Sequence, residues 1–160
     1  MTSIAIPLLA DTRGFFFDDY LPKIVRCLDA LDEENVWWRA NAESNSIGNL
    51  ILHLDGSTRM WVLGVAGGAR VVRDRDAEFS ERGPLAKSVL LARLRSTLAE
   101  VDEVLGMLTG EVMLERRPSS KGEVTVLWAV LHAVEHFAMH TGQIILLTKL
   151  RTSSVLQLSS

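Results

Sequence analysis

Leu91, Leu94, Leu98, Val101, Leu105 and Leu108 recur at intervals of three and four residues. Only a helix of 3.6 residues per turn places such a series on one face, and the pattern is that of a seam in a helical bundle. The same spacing runs through Phe17, Leu21, Ile24, Leu28 and Leu31. It predicts an amphipathic helix over about residues 12–32, with Asp11 or Thr12 as N-cap. A second helix is expected over about 46–65, with Ile47, Leu50, Ile51, Leu54, Trp61 and Val62 on its apolar side and Gly64, Gly67 and Gly68 at its end. Residues 124–150 are apolar nearly all round, as befits a centrally buried helix. No segment reads as a strand. The expected fold is all-α, a four-helix bundle with long interhelical connections.

Three connections separate these helices. Residues 32–45 are polar apart from Val36, Trp37 and Trp38. Residues 69–84 alternate charges through Arg70, Arg73, Asp74, Arg75, Asp76, Glu78, Glu81 and Arg82, and read as a long surface loop. Residues 109–123 carry the breakers Gly110, Pro118 and Gly122. At 160 residues the chain is expected to form one domain (1–160), its core over about 12–150 and a loosely held Ser-rich tail at 152–160.

Composition narrows the function classes. Hydrophobic residues make up 48% and charged residues 23%, a globular balance, and the net charge of −3 offers no general footprint for nucleic acid. No uncharged apolar stretch reaches membrane-spanning length, and residues 1–10 lack the cationic start of a targeting signal. The single cysteine, Cys27, cannot form an intrachain disulfide and lies beside an apolar helix stripe. These features predict a cytoplasmic protein without nucleic-acid or membrane partners.

The chemistry concentrates in histidine. Three of the four, His132, His136 and His140, are spaced by four residues on the last helix. Each such step turns about 40° past a full turn and rises about 6 Å, so neighbours can share an ion. The outer two lie about 12 Å apart along the axis, which is too far for all three to serve one metal. Spacing leaves two pairs open, His132/His136 and His136/His140. A further ligand must come from another helix, and His53 is the one remaining histidine. Its row holds Ser46, Asn49, Gly56 and Ser57, small or polar residues that leave room for a ligand. Neutral imidazoles suit zinc, nickel and similar borderline ions, and three of them leave a coordination position open. Asn49, Asp55, Glu135 and Gln143 are candidates for orienting the rings, and Ser57, Trp128 and His132 for lining the pocket.

Three stretches resemble the DinB-like superfamily of metal-dependent bundle proteins, which includes the YfiT-like proteins. SNSIGNLILHLDGSTRMW resembles its second helix, whose IG-x-L-x-x-H run ends in the first metal ligand. RDRDAEF resembles an interhelical loop of an uncharacterised branch. HAVEHFAMHTGQI resembles the last-helix signature, in which two histidines four apart precede Gly-Gln-Ile. Carried over residue by residue, the resemblance implies His53, His136 and His140 as metal ligands, with His132 a neighbour. It also implies zinc or nickel, and a homodimer. Characterised members are thiol-dependent enzymes: mycothiol-dependent maleylpyruvate isomerase and S-transferases using bacillithiol or related low-molecular-weight thiols.

The expected function is therefore that of a metal-dependent enzyme acting through a metal-bound small thiol, in the manner of an S-transferase, or through metal-bound water as a hydrolase. The alternative is a non-catalytic metal-binding stress-response module or a structural helical dimer. No Gly-x-Ser-x-Gly elbow or other protein nucleophile is evident, so the sulfur is expected to arrive with a small-molecule substrate. Glu135 could serve as a base only if it turned toward the site, since it lies about 100° round the helix from His136. Arg70, Arg73 and Arg75 could receive an anionic thiol, but the interleaved Asp74, Asp76 and Glu78 suggest a loop that compensates its own charge.

Overall fold

The computed structural model describes residues 4–83, 85–152 and 156. Four helical rods form a bundle. The first is continuous through α1 (Ala5–Gly14), a π-helical segment (Phe15–Tyr20) and α2 (Leu21–Asp29). The second joins α4 (Ile47–Thr58) to a π-helical segment (Arg59–Ala66). The third is α6 (Lys87–Met107) and the fourth α8 (Val126–Arg151). Among the described residues no helix is long and apolar enough to cross a membrane.

The four-helix expectation holds, and the boundaries show where local signals gave way. The first rod starts seven residues earlier than the apolar spacing predicts. Pro7 sits in the first turn, where a missing N–H costs nothing. Thr12 is not an N-cap: it is buried mid-helix and its hydroxyl donates to the Leu8 carbonyl at 2.8 Å. The second rod begins where Ser46 and Asn49 form a reciprocal capping box, and the chain leaves it at Gly68 with φ of 75°.

All three connections carry structure. α3 (Glu33–Val36) interrupts the first, capped by Asp32. α5 (Arg75–Ser80) interrupts the charge-alternating one, capped by Asp74. The last contains α7 (Gly110–Leu114) and a hairpin of β1 (Arg116–Ser119) and β2 (Gly122–Thr125), which corrects the expectation of no strands. Arg116 pairs with Thr125 and Ser119 with Gly122, the latter at φ of 88°. Arg117 ties this hairpin to the second rod by donating to the Val65 and Ala66 carbonyls at 3.2 and 2.6 Å. The Ser-rich tail lies outside the described residues apart from Thr152 and Leu156.

The core draws on every rod. Phe16 meets the edge of Phe137 at 5.3 Å, and Ile24, Leu54, Leu94, Leu98 and Ile144 are fully buried. The expected seam of α6 is buried at Leu94, Leu98, Val101 and Leu105, whereas Leu91 and Leu108 at its ends are only partly buried and Leu90 is fully so. α4 is buried almost all round because α5, α6 and α8 each pack against a different side of it. That placement puts His53 of α4 opposite the histidine row of α8.

Candidate metal centre

α4 and α8 bring His53, His136 and His140 together. Each offers a ring nitrogen, and the three lie within 4.8 Å of one another. His136 Nε2 stands 3.1 Å from His53 Nε2 and 3.1 Å from His140 Nε2. His53 and His140 are buried and His136 is half-buried. One turn of α8 carries the pair His136/His140, and the facing rod supplies the third ring.

Partners on the far side of two of the rings fix which nitrogen carries a proton. His53 Nδ1 lies 2.8 Å from Glu78 Oε2. A carboxylate only accepts, so Nδ1 carries the proton, and in the neutral form of the ring Nε2 presents its lone pair. Arg73 Nη2, 3.1 Å from the same Nδ1, is itself a donor and is engaged with Glu78 at 2.7 Å. His140 Nδ1 donates to Gln143 Oε1 at 2.6 Å, which likewise leaves Nε2 unprotonated. Two lone pairs thus point at His136 Nε2. A single proton on that atom would have to be shared between two acceptors. One cation can accept all three nitrogens, so the donor set fits a borderline divalent ion.

The electrostatics follow the same logic. Burial, then the neighbouring His140, His53 and His132 and the Arg73 guanidinium, push His136 down to about 3. Burial lowers His140 despite the opposing bond to Gln143. Burial alone would raise Glu78, but hydrogen bonds and charge from Arg73 and His53 outweigh it and hold the carboxyl below its ordinary range. Neutral imidazoles beside an ionised, compensated carboxylate are ready to bind a metal at neutral pH.

His132 stands apart from the three. Its ring centroid is 5.8 Å from that of His136, and it stacks on Trp128 at 4.7 Å with Trp61 edge-on at 4.8 Å. Burial, then the nearby Lys121 ammonium, lower its pKa. Of the expected orienting groups, Gln143 touches a ring directly. Asn49 acts at one remove, its amide donating to the Glu78 and Glu81 carbonyls at 2.9 Å each. Asp55 turns away and accepts from Thr97 at 2.5 Å. Ser57 is buried on α4. Glu135 is exposed, and its carboxylate lies 3.7 Å from His132 Nδ1, beyond hydrogen-bond range.

Two residues escaped sequence reasoning, Glu78 and Arg73. The charge-alternating stretch reads as solvated, yet the Glu78 side chain is only 9% exposed and Arg73 13%. Of the Arg patch suggested for an anionic thiol, Arg73 is spent on Glu78 and Arg75 covers the Phe79 ring at 4.8 Å. The RDRDAEF match was the available signal, although spacing alone could not show that its glutamate turns inward.

A family model described as mycothiol-S-transferase matches residues 14–151. No curated protein matches the chain.

Proposed function

The chain belongs to the mycothiol-S-transferase family, within the DinB/YfiT-like superfamily, and we propose that it is a metal-dependent thiol S-transferase. In this reading His53, His136 and His140 would hold zinc or nickel, and the sulfur of a low-molecular-weight thiol of the mycothiol type would form a bond to carbon of a small electrophile, the thiol proton passing to solvent and the electrophile's leaving group departing. The observation that carries the reading is the convergence of three imidazole nitrogens, His136 Nε2 at 3.1 Å from each of the other two, whose rings Glu78 and Gln143 hold from the far side.

A divalent cation held by His53, His136 and His140 would supply Lewis acidity, which would lower the pKa of a substrate thiol. The protein's residues provide the setting. Glu78 and Gln143 keep two rings from rotating or changing tautomer. His132, Trp128 and Trp61 pack together on one side of the cluster, with the Lys121 ammonium over the two indole rings at 5.4 and 5.9 Å. Cys27 is fully buried, and burial pushes its thiol up, so it is no competing nucleophile. The sulfur comes with the substrate.

Metal analysis of the purified protein should find about one zinc or nickel per chain, falling to background in His53→Ala. The metal-loaded protein should conjugate 1-chloro-2,4-dinitrobenzene with at least one thiol among mycothiol, bacillithiol and cysteine. A metallated protein that accelerates none of these reactions over buffer would leave the non-catalytic metal module as the better reading. The lone buried thiol supports a reducing, cytoplasmic setting. Leu131, Met139, Leu146 and Leu150, all exposed on α8, support a homodimer. Light scattering giving a monomer mass at micromolar concentration would reject it.

A further inference from the structure

We infer that Arg73 and Glu78 are positioning residues, built to hold His53 in one tautomer and one orientation for its metal. The inference rests on the reading of His53 as a ligand and assigns a role to a loop that the sequence presents as surface.

The geometry is that of a clamp. Arg73 Nε donates to Glu78 Oε1 at 2.6 Å and Arg73 Nη2 to Oε2 at 2.7 Å, a two-point grip that stops the carboxylate from turning. The same Oε2 accepts the hydrogen bond that His53 Nδ1–H donates, at 2.8 Å. The backbone beneath is pinned as well: Asn49 holds the Glu78 carbonyl, and Arg39 donates to the Phe79 carbonyl at 3.2 Å. The Phe79 ring packs on the His53 ring at 4.5 Å, so both the hydrogen-bonding atom and the ring plane are set from α5.

Two features separate this from a salt bridge that merely anchors a loop. An anchoring pair has no need of the imidazole, yet here the carboxylate is shared with it. Moreover, α4 carries glycine where the clamp enters. A β-carbon on Gly56 would run into Glu78 Oε1 and crowd Arg73 Nε at 3.0 Å. The helix therefore accepts a residue of poor helix propensity at the point where the carboxylate must pass. Because Arg73 neutralises Glu78, the clamp orients His53 without adding net charge to the site. Carboxylates behind metal-binding imidazoles act in this manner, and removing one typically weakens metal binding about 10–100-fold.

The test has two readouts. In metal-free protein, long-range proton–nitrogen NMR should show His53 as the Nδ1–H tautomer, and Glu78→Gln should give a mixture, since an amide can both accept from and donate to Nδ1. Zinc affinity, measured by chelator competition, should fall about 10–100-fold in Glu78→Gln. It should fall comparably in Gly56→Ala, which displaces the carboxylate without altering it. The double variant should bind no more weakly than the worse single one, because both act through the same contact. Circular dichroism establishes that each variant is folded. A folded Glu78→Gln that keeps the single tautomer and binds zinc within twofold of the parent overturns the inference, as does a Gly56→Ala that binds normally. If the parent binds no divalent ion, the metal reading fails and the tautomer measurement alone decides whether Glu78 positions His53.

Discussion

Lowering the pH of the metal-free protein should destabilise it through His136. The ring is pushed down to about 3 in the native state, chiefly by burial and then by His140, His53, His132 and Arg73. In the unfolded chain it titrates near 6.5. At pH 8 it is neutral in both states and contributes no pH dependence. Below 6.5 the unfolded chain takes up a proton that the native state refuses, so stability falls as pH falls. At pH 5 the loss is RT ln(1 + 10^1.5), about 2 kcal/mol from this ring alone. The decline continues until the native ring also protonates near 3. His140, lowered in the same direction, adds to it. Glu78, held below its ordinary range, contributes stability that is lost only below the unfolded carboxyl value, outside the pH 8 to 5 window. Urea denaturation of chelator-treated protein at pH 8, 6 and 5 measures the effect, with His136→Gln as the variant lacking this titration. The parent should lose about 2 kcal/mol more than the variant. Equal losses, or a parent whose stability is flat across the window, would refute the account of a buried neutral cluster.

Other expectations test the frame around the site. Phe137 is fully buried between the edge of Phe16 and the stacked ring of Tyr20, so Phe137→Ala should cost about 3–5 kcal/mol in denaturant titration. At Gly48 a β-carbon would sit 2.7 Å from the Trp37 ring, which is itself tied to the Leu85 carbonyl at 3.0 Å. Gly48→Ala should therefore destabilise by about 1–3 kcal/mol through overpacking, read as a fall in melting temperature. Zinc at 100 times its dissociation constant should raise stability by about 2.7 kcal/mol, a gain that calorimetry should not find in His53→Ala.

The features that escaped sequence reading share a cause. The strands of the hairpin at 116–125 are short and have no fully buried residue, so they lack the buried alternation by which a strand is recognised. The two π-helical segments leave no periodic mark, yet the second lies between His53 and the hairpin and carries Trp61, which meets Trp128 and His132. Such segments widen a helix by a single residue per turn, and tertiary packing decides where. Glu78 lies 25 residues from His53 and is drawn to it only because α5 folds across α4.

The sequence by itself determined the four rods, the seam of α6 and a histidine row at a spacing of four, because these depend on local periodicity and on side chains reaching along one helix. From spacing alone it left two histidine pairs equally open. Tertiary structure decided only which of them stand beside His53: α4 sets it against His136 and His140, while His132 stacks with Trp128 and Trp61. The same packing turned a solvated-looking loop into a buried clamp. A charged side chain can be buried only where its partners already converge, and that convergence exists only once the rods have packed.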